Sequence, residues 1–131
     1  MERTLEYLEE CGVFFVAAGG ERPCVCPLAS ACWYDGALYI LVRRESPLYG
    51  ALKKNAAVSI AAVHPDKSWL SVTGRLVEDA RPEAAAAMQA RAKDTLSAVY
   101  DGGGEGAVFR LEGGRAVVRE IIGRTQEWTI G

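Results

Sequence analysis

The chain has 131 residues, half of them hydrophobic, with 15 lysines and arginines against 17 aspartates and glutamates and a net charge of -2. That length gives a single domain with a sizeable core, and the mixed charge leaves no basic footprint for nucleic acid or a membrane surface. The N-terminus is acidic and no apolar run approaches the roughly 20 residues of a spanning helix, which predicts a cytoplasmic protein.

Residues 2–10 predict an amphipathic helix, with Leu5 and Leu8 inward and glutamates outward, that ends at Gly12 and caps a sheet. Val13 to Ala18 is a continuous apolar run bounded by glycines, too short for an independent helix, and predicts a buried strand. Gly19 to Pro23 turns the chain into a second strand, Cys24 to Trp33. Tyr34-Asp35-Gly36 supplies turn chemistry, and Ala37 to Val42 is the returning strand. After Arg43-Arg44-Glu45, Ser46 is a good N-cap and Pro47 fits the first position of a short helix. That helix buries Leu48 and Leu52 and ends at Lys53, Lys54 and Asn55.

Ala57 to Val63 is the next apolar strand, closed by His64-Pro65-Asp66-Lys67. With no Ser and Asp pair spaced to make a relay, His64 reads as an exposed loop histidine. Trp69 to Glu78 alternates most cleanly: Leu70, Val72 and Leu76 on one face, Ser71, Thr73 and Arg75 on the other, Gly74 at a bend. Pro82 to Tyr100 predicts the one long helix, with Ala85, Met88, Ala92, Leu96 and Val99 at helical spacing, ended by Asp101 to Gly104. Ala107 to Leu111 and Ala116 to Ile122, separated by Glu112-Gly113-Gly114, predict a closing hairpin. The tail, 124–130, is polar around Trp128, which either docks or meets a partner. Six or seven antiparallel strands with three helices predict a mainly β fold. Few edges can stay open in such a chain, so a small barrel is favoured over an open sheet.

Two features invite chemistry. Cys24, Cys26 and Cys32 share parity and would face one way in an unbroken strand. However, only His64 is left to complete a metal site and Pro27 interrupts the strand, so reduced, buried thiols and no metal are expected. The second feature is the helix start beside Arg43 and Arg44, where free N–H groups and the dipole can join the guanidinium charge on a phosphate. Pro47 removes one donor and Glu45 sets a carboxylate nearby. A solvated loop in which Ser46 only caps is the alternative.

The stretches GVFFVAAGGERPCVCPLASACWYDGALYILV, SPLYGALKKNAAVSIAAV, KSWLSVTGRLVED and VFRLEGGRAVV, in this order, resemble the flavin-binding split barrels related to pyridoxamine 5'-phosphate oxidase, especially the short bacterial members. The resemblance covers nearly the whole chain. It implies a split β-barrel homodimer with FMN in grooves between the barrels, and an oxidoreductase in which the flavin does the electron chemistry on a small molecule. The phosphate would lie near Arg43, Arg44 and Ser46. The ring would lie against Pro27, Leu28, Ala29, Leu41 and Val42, with Trp69 or Trp128 from one or other subunit. Where the family often has basic residues, this chain has Cys24 and Cys26, and again Pro47. Those departures imply a second possibility, a module on the same dimeric barrel that has lost flavin and takes another nucleotide, deazaflavin or haem. No second basic cluster is present for a substrate phosphate, so pyridoxamine phosphate is not the expected substrate.

Overall fold

The computed structural model describes residues 2–91 and 106–130. Helix α1 (Arg3–Cys11) starts where Glu2 accepts from the Thr4 and Leu5 amides at 2.8 and 3.2 Å. It stops at Gly12, whose φ of 84° lets its N–H reach the Leu8 carbonyl. Leu5 and Leu8 are buried as expected. Strands β1 (Phe14–Ala18), β2 (Cys24–Leu28), β3 (Ala31–Tyr34), β4 (Ala37–Arg43), β5 (Ala57–Val63), β6 (Trp69–Glu78), β7 (Gly106–Arg119) and β8 (Thr125–Ile130) form one antiparallel sheet. Helix α2 (Pro47–Lys54) follows β4, and α3 (Pro82–Arg91) follows β6. Across the sheet the order is β2-β1-β5-β6-β7-β4-β3, with β8 paired to β7. The predicted split barrel is the fold. No helix among the described residues is long and apolar enough to cross a membrane.

The outermost strands, β2 and β3, are neighbours in the chain, so the sheet curls until its two edges meet at Ala29 and Ser30. There the Ser30 carbonyl accepts the Leu41 amide at 3.2 Å. The expected single strand from Cys24 to Trp33 is thus two strands, and the shared cysteine face is broken with it. Cys24 and Cys26 pack against the main core, whereas Cys32 lies in a second cluster with Ala37, Tyr39, Ala84, Met88 and Val108.

The expected closing hairpin is instead one strand of 14 residues, β7. Its first half pairs with β4, from Tyr39↔Arg110 to Arg43↔Gly106, and its second half with β8, from Gly114↔Ile130 to Arg119↔Thr125. β6 runs along the other edge of both halves. Glu112-Gly113-Gly114 makes a bulge rather than a turn. The register with β6 steps between Thr73↔Arg115 and Arg75↔Glu112, and Gly113 adopts φ 60°. A Cβ at Gly74 would come within 2.8 Å of Leu111 Cδ1, and one at Gly114 within 2.8 Å of Leu111 Cδ2 and 3.0 Å of Ile130 Cβ. Glycine at these positions is what lets the backbones close on the bend. The polar tail is the strand β8.

Smaller differences have the same origin in tertiary packing. β1 is half-buried, with Phe14, Val16 and Ala18 inward and Phe15 exposed, because its other face lies outside the barrel. In α3 the buried residues are Ala84 and Met88, one i,i+4 pair, and Ala85 is exposed. The remainder of that expected helix and its glycine turn, 92–104, fall outside the described residues. His64 is not a free loop side chain. Its side chain is 18% exposed, packs at a tilt of 40° against Tyr7 with ring centroids 5.1 Å apart, and stands 3.0 Å from Asp66 and 3.6 Å from Glu10.

The start of α3 is pinned to the sheet by one buried hydroxyl. Tyr39 donates to Asp79 Oδ2 at 2.6 Å and accepts from Arg81 at 3.1 Å and Arg110 at 3.3 Å, while Arg81 also reaches Asp79 and Asp35. The Arg81 guanidinium, with help from Tyr39, holds the Asp79 carboxyl far below the usual carboxylate range. Asp79→Asn is therefore expected to lower stability by about 1–3 kcal/mol at pH 7, read by urea denaturation. The folded-state value lies below the unfolded value of about 4. The carboxylate's contribution is thus complete above roughly pH 5 and lost as the pH falls through the folded-state value, and the gap between wild type and variant closes in acid.

Candidate functional site

The bend after β4 is built as the sequence suggests. Ser46 is in extended conformation and accepts from the Tyr49 amide at 3.3 Å, Pro47 opens α2, and Leu48 and Leu52 are buried. The polar groups there are nonetheless committed to the protein. The Ser46 hydroxyl donates to the Arg43 carbonyl at 2.9 Å, so both its functions belong to the cap. Arg44 pairs with Glu78 at 3.2 Å and donates to the Tyr49 hydroxyl at 2.9 Å. Lys53 and Tyr49 each reach Glu78 Oε1 at 2.9 Å. The Lys53 hydrogen bond, joined by those of its neighbours, draws the Glu78 carboxyl below its usual range and keeps it charged. Arg43, at the end of β4, pairs with Gly106, where a Cβ would come within 3.0 Å of its guanidinium.

The opposite face of α2 is open. Pro47, Gly50, Ala51 and Lys54, spaced i, i+3, i+4 and i+7, look across a cleft of about 710 Å³ at the β1–β2 turn, Gly19, Gly20, Glu21, Arg22 and Pro23. Cys24 and Asn55 complete the lining. Gly19 and Pro23 also line a shallower groove of about 300 Å³ over Ala17, Ala18, Ala57, Val58 and Ser59, so the two adjoin. The residues that sequence reasoning missed are Arg22, Gly50 and Lys54. Their signal was the small-residue face of α2, which the buried Leu48 and Leu52 obscured.

The other expected site residues scatter. Leu28 and Val42 are 5% and 0% exposed in the core and offer no groove wall, because their strand parity points them inward. Ala29 is buried beside Leu8, Gly12 and Phe14, and Leu41 packs against the second cluster around Cys32 and Tyr39. Pro27 pairs with Phe15 on the outer side of the barrel. Trp69 is 40% exposed on that same side, under the Arg119 guanidinium at 4.7 Å. Trp128 docks within its own chain: its indole N–H donates to Thr4 Oγ1 at 2.9 Å and Arg3 lies 3.8 Å from the ring centroid. Cys26 is half-buried, and burial pushes its thiol up; the Cys11 and Cys32 thiols are pushed up to about 11 by the same cause. No group of three or more His, Cys, Asp or Glu able to hold a metal gathers among the described residues.

No family model and no curated protein matches the sequence. Solved structures do. A NimC/NimA family protein from Clostridium acetobutylicum superposes with a TM-score of 0.85 at 28% identity, over 99% of this chain and 92% of that one. A protein related to general stress protein 26, of the pyridoxinephosphate oxidase family and from the same organism, gives 0.65 at 16% identity, over 97% and 92%. The chain has the split-barrel fold of these pyridoxamine 5'-phosphate oxidase-like structures. A haem-binding protein from Mycobacterium smegmatis shares the fold, with a TM-score of 0.69 at 20% identity over 94% of this chain and 57% of that one.

Within this split barrel the cleft beside α2 is bare because a Cβ at Gly50 would meet nothing within 4 Å. Gly50→Ala is accordingly expected to raise stability by up to about 1 kcal/mol in guanidinium denaturation, through helix propensity alone. A loss of stability would show that the α2 face is packed rather than open.

Proposed function

We propose that the chain binds a flavin, FMN in the first place, at the junction of two copies of itself, and works as an oxidoreductase on a small molecule in the cytoplasm. The observation that carries this reading is the outer face of β2, β1, β5 and β6. Phe15, Val25, Val63 and Trp69 are 48%, 61%, 67% and 40% exposed there, in a register that sets Phe15 beside Pro27 and Ala61, and Val63 beside Trp69. So many large apolar side chains on one sheet face call for a cover, and a second copy supplies it. The groove over Ala17, Ala57 and Ser59 opens on that face, so the partner copy would wall it into a slot. Four free cysteines suit a reducing compartment.

The protein's own groups bear on how a flavin would be held. Arg44 and Ser46 are spent at the bend, while the cleft beside α2 offers Arg22 and Lys54 to an anionic tail and the adjoining groove offers an apolar wall to a ring. A bound flavin supplies the electron transfer; these residues bind it, orient it and keep water from it.

A second reading, a barrel that takes haem, deazaflavin or another nucleotide in place of FMN, is favoured by Cys24 and Cys26 where cations are usual and by the ion pair that engages Arg44.

The first reading predicts that the purified protein shows a flavin absorption band or gains one with FMN, and elutes as a dimer by light scattering. Phe15→Glu is expected to give a folded monomer with at least about tenfold weaker flavin binding, since a buried charge at the junction costs several kcal/mol. A colourless protein with no thermal shift in excess FMN sinks the flavin reading, and a shift with haem or deazaflavin alone establishes the second.

A further inference from the structure

We propose that Arg22 and Lys54 form the anion-receiving end of the cleft between the β1–β2 turn and α2. They would take a ligand with a phosphate-ester group, whose apolar body lies along the groove over Ala17, Ala57 and Ser59. For the identity of the ligand this rests on the flavin reading; for the site it rests on the cleft itself.

Half of the fourteen cations among the described residues already have a carboxylate, Arg110 with Asp35 among them. Arg44, Lys53, Arg81, Arg91, Arg115 and Arg124 are each paired with one. Arg22 and Lys54 have no hydrogen-bond or ion-pair partner among the described residues, and both line the one cleft. Glu21 lies in the same turn, so the lining keeps an excess of one positive charge. The two cations come from different elements. Arg22 stands in a turn whose Gly20 adopts φ 122°, and Lys54 in the last turn of α2, where it also offsets the negative end of the helix dipole. Between them the walls are Gly19, Gly20 and Gly50, so backbone can approach a ligand closely.

The other end is different in kind. The cleft of about 710 Å³ adjoins, at Gly19 and Pro23, the groove of about 300 Å³, whose other lining side chains are alanines, a valine and a serine. Together these volumes suit a ligand of cofactor size. A charged end beside an apolar trough selects a molecule with a phosphate on one side and an uncharged, ring-sized body on the other. Guanidinium and ammonium groups are the two side chains best matched to phosphate oxygens. At the bend on the far side of α2, by contrast, Arg44 and Lys53 are both held in ion pairs with Glu78.

The test compares FMN with riboflavin, which differs by the phosphate alone, in calorimetric titrations of wild type, Arg22→Ala/Lys54→Ala, Gly50→Leu and, as an exposed control outside the cleft, Arg124→Ala. Wild type and control are expected to favour FMN over riboflavin by about 10- to 100-fold, a preference that shrinks as salt rises. The double variant should bind both alike, with riboflavin affinity unchanged, and Gly50→Leu should lose the preference with its melting temperature kept. A double variant that retains the preference overturns the assignment and leaves the flavin reading standing. If neither flavin binds to wild type, the flavin reading falls and the site is read with inorganic phosphate by phosphorus NMR. Line broadening that disappears in the double variant upholds it, and no broadening in wild type overturns it.

Discussion

The ladder between β6 and β7 is the constraint on which the molecule depends. β6 stays paired with β7 on both sides of the bulge at Gly113 and Gly114, so the bend is absorbed without losing the partner strand. That bend lets one long strand serve two neighbours on its other edge, β4 first and β8 afterwards. Straight strands would give a flat sheet; the step at Gly74 turns it into a barrel wall. β8 then carries Trp128 to Thr4 and Arg3, which fastens α1 over the sheet. A local permission for glycine thereby reaches the N-terminal helix through two strands and one indole.

Charge is distributed by the same framework. α2 has one face in the core, a flank tied to Glu78 and a flank open to solvent, and each follows from residue spacing along eight residues. Glu78 comes from the end of β6 and gathers Arg44, Tyr49 and Lys53 around it, which makes the arginine bend a structural joint. Tyr39 does the equivalent work at the start of α3 by gathering Asp79, Arg81 and Arg110. With those cations engaged, positive charge is left beside the β1–β2 turn, where among the described residues Arg22 and Lys54 have no carboxylate partner.

Much of the fold could be read from the chain because its signals were local. Ser46-Pro47 with Leu48 and Leu52 marks α2 through cap chemistry and spacing, and the alternation from Leu70 to Leu76 marks β6 with its Gly74 bend. Glu112-Gly113-Gly114 misled because a turn and a bulge ask for the same residues; only the partner strand on the far side, β6, decides between them. Cys24 to Trp33 looked continuous because nothing local announces the break at Ala29 and Ser30, which comes from closing the barrel. The site was less legible than the fold. Arg43, Arg44 and Ser46 had the right chemistry for phosphate, but whether a charge is free depends on Glu78, thirty-four residues beyond Arg44 in sequence and adjacent in space.

The link of two residues between β2 and β3 has a consequence for how copies of the chain can meet. The ends of the sheet are bound to each other by covalent chain, α2 packs on β2 and α3 on β3. Neither of these two ends is therefore free to template a strand from another molecule, and among the described strands the hydrogen-bonding direction stays open only along the outer edge of β8, which pairs with β7 alone.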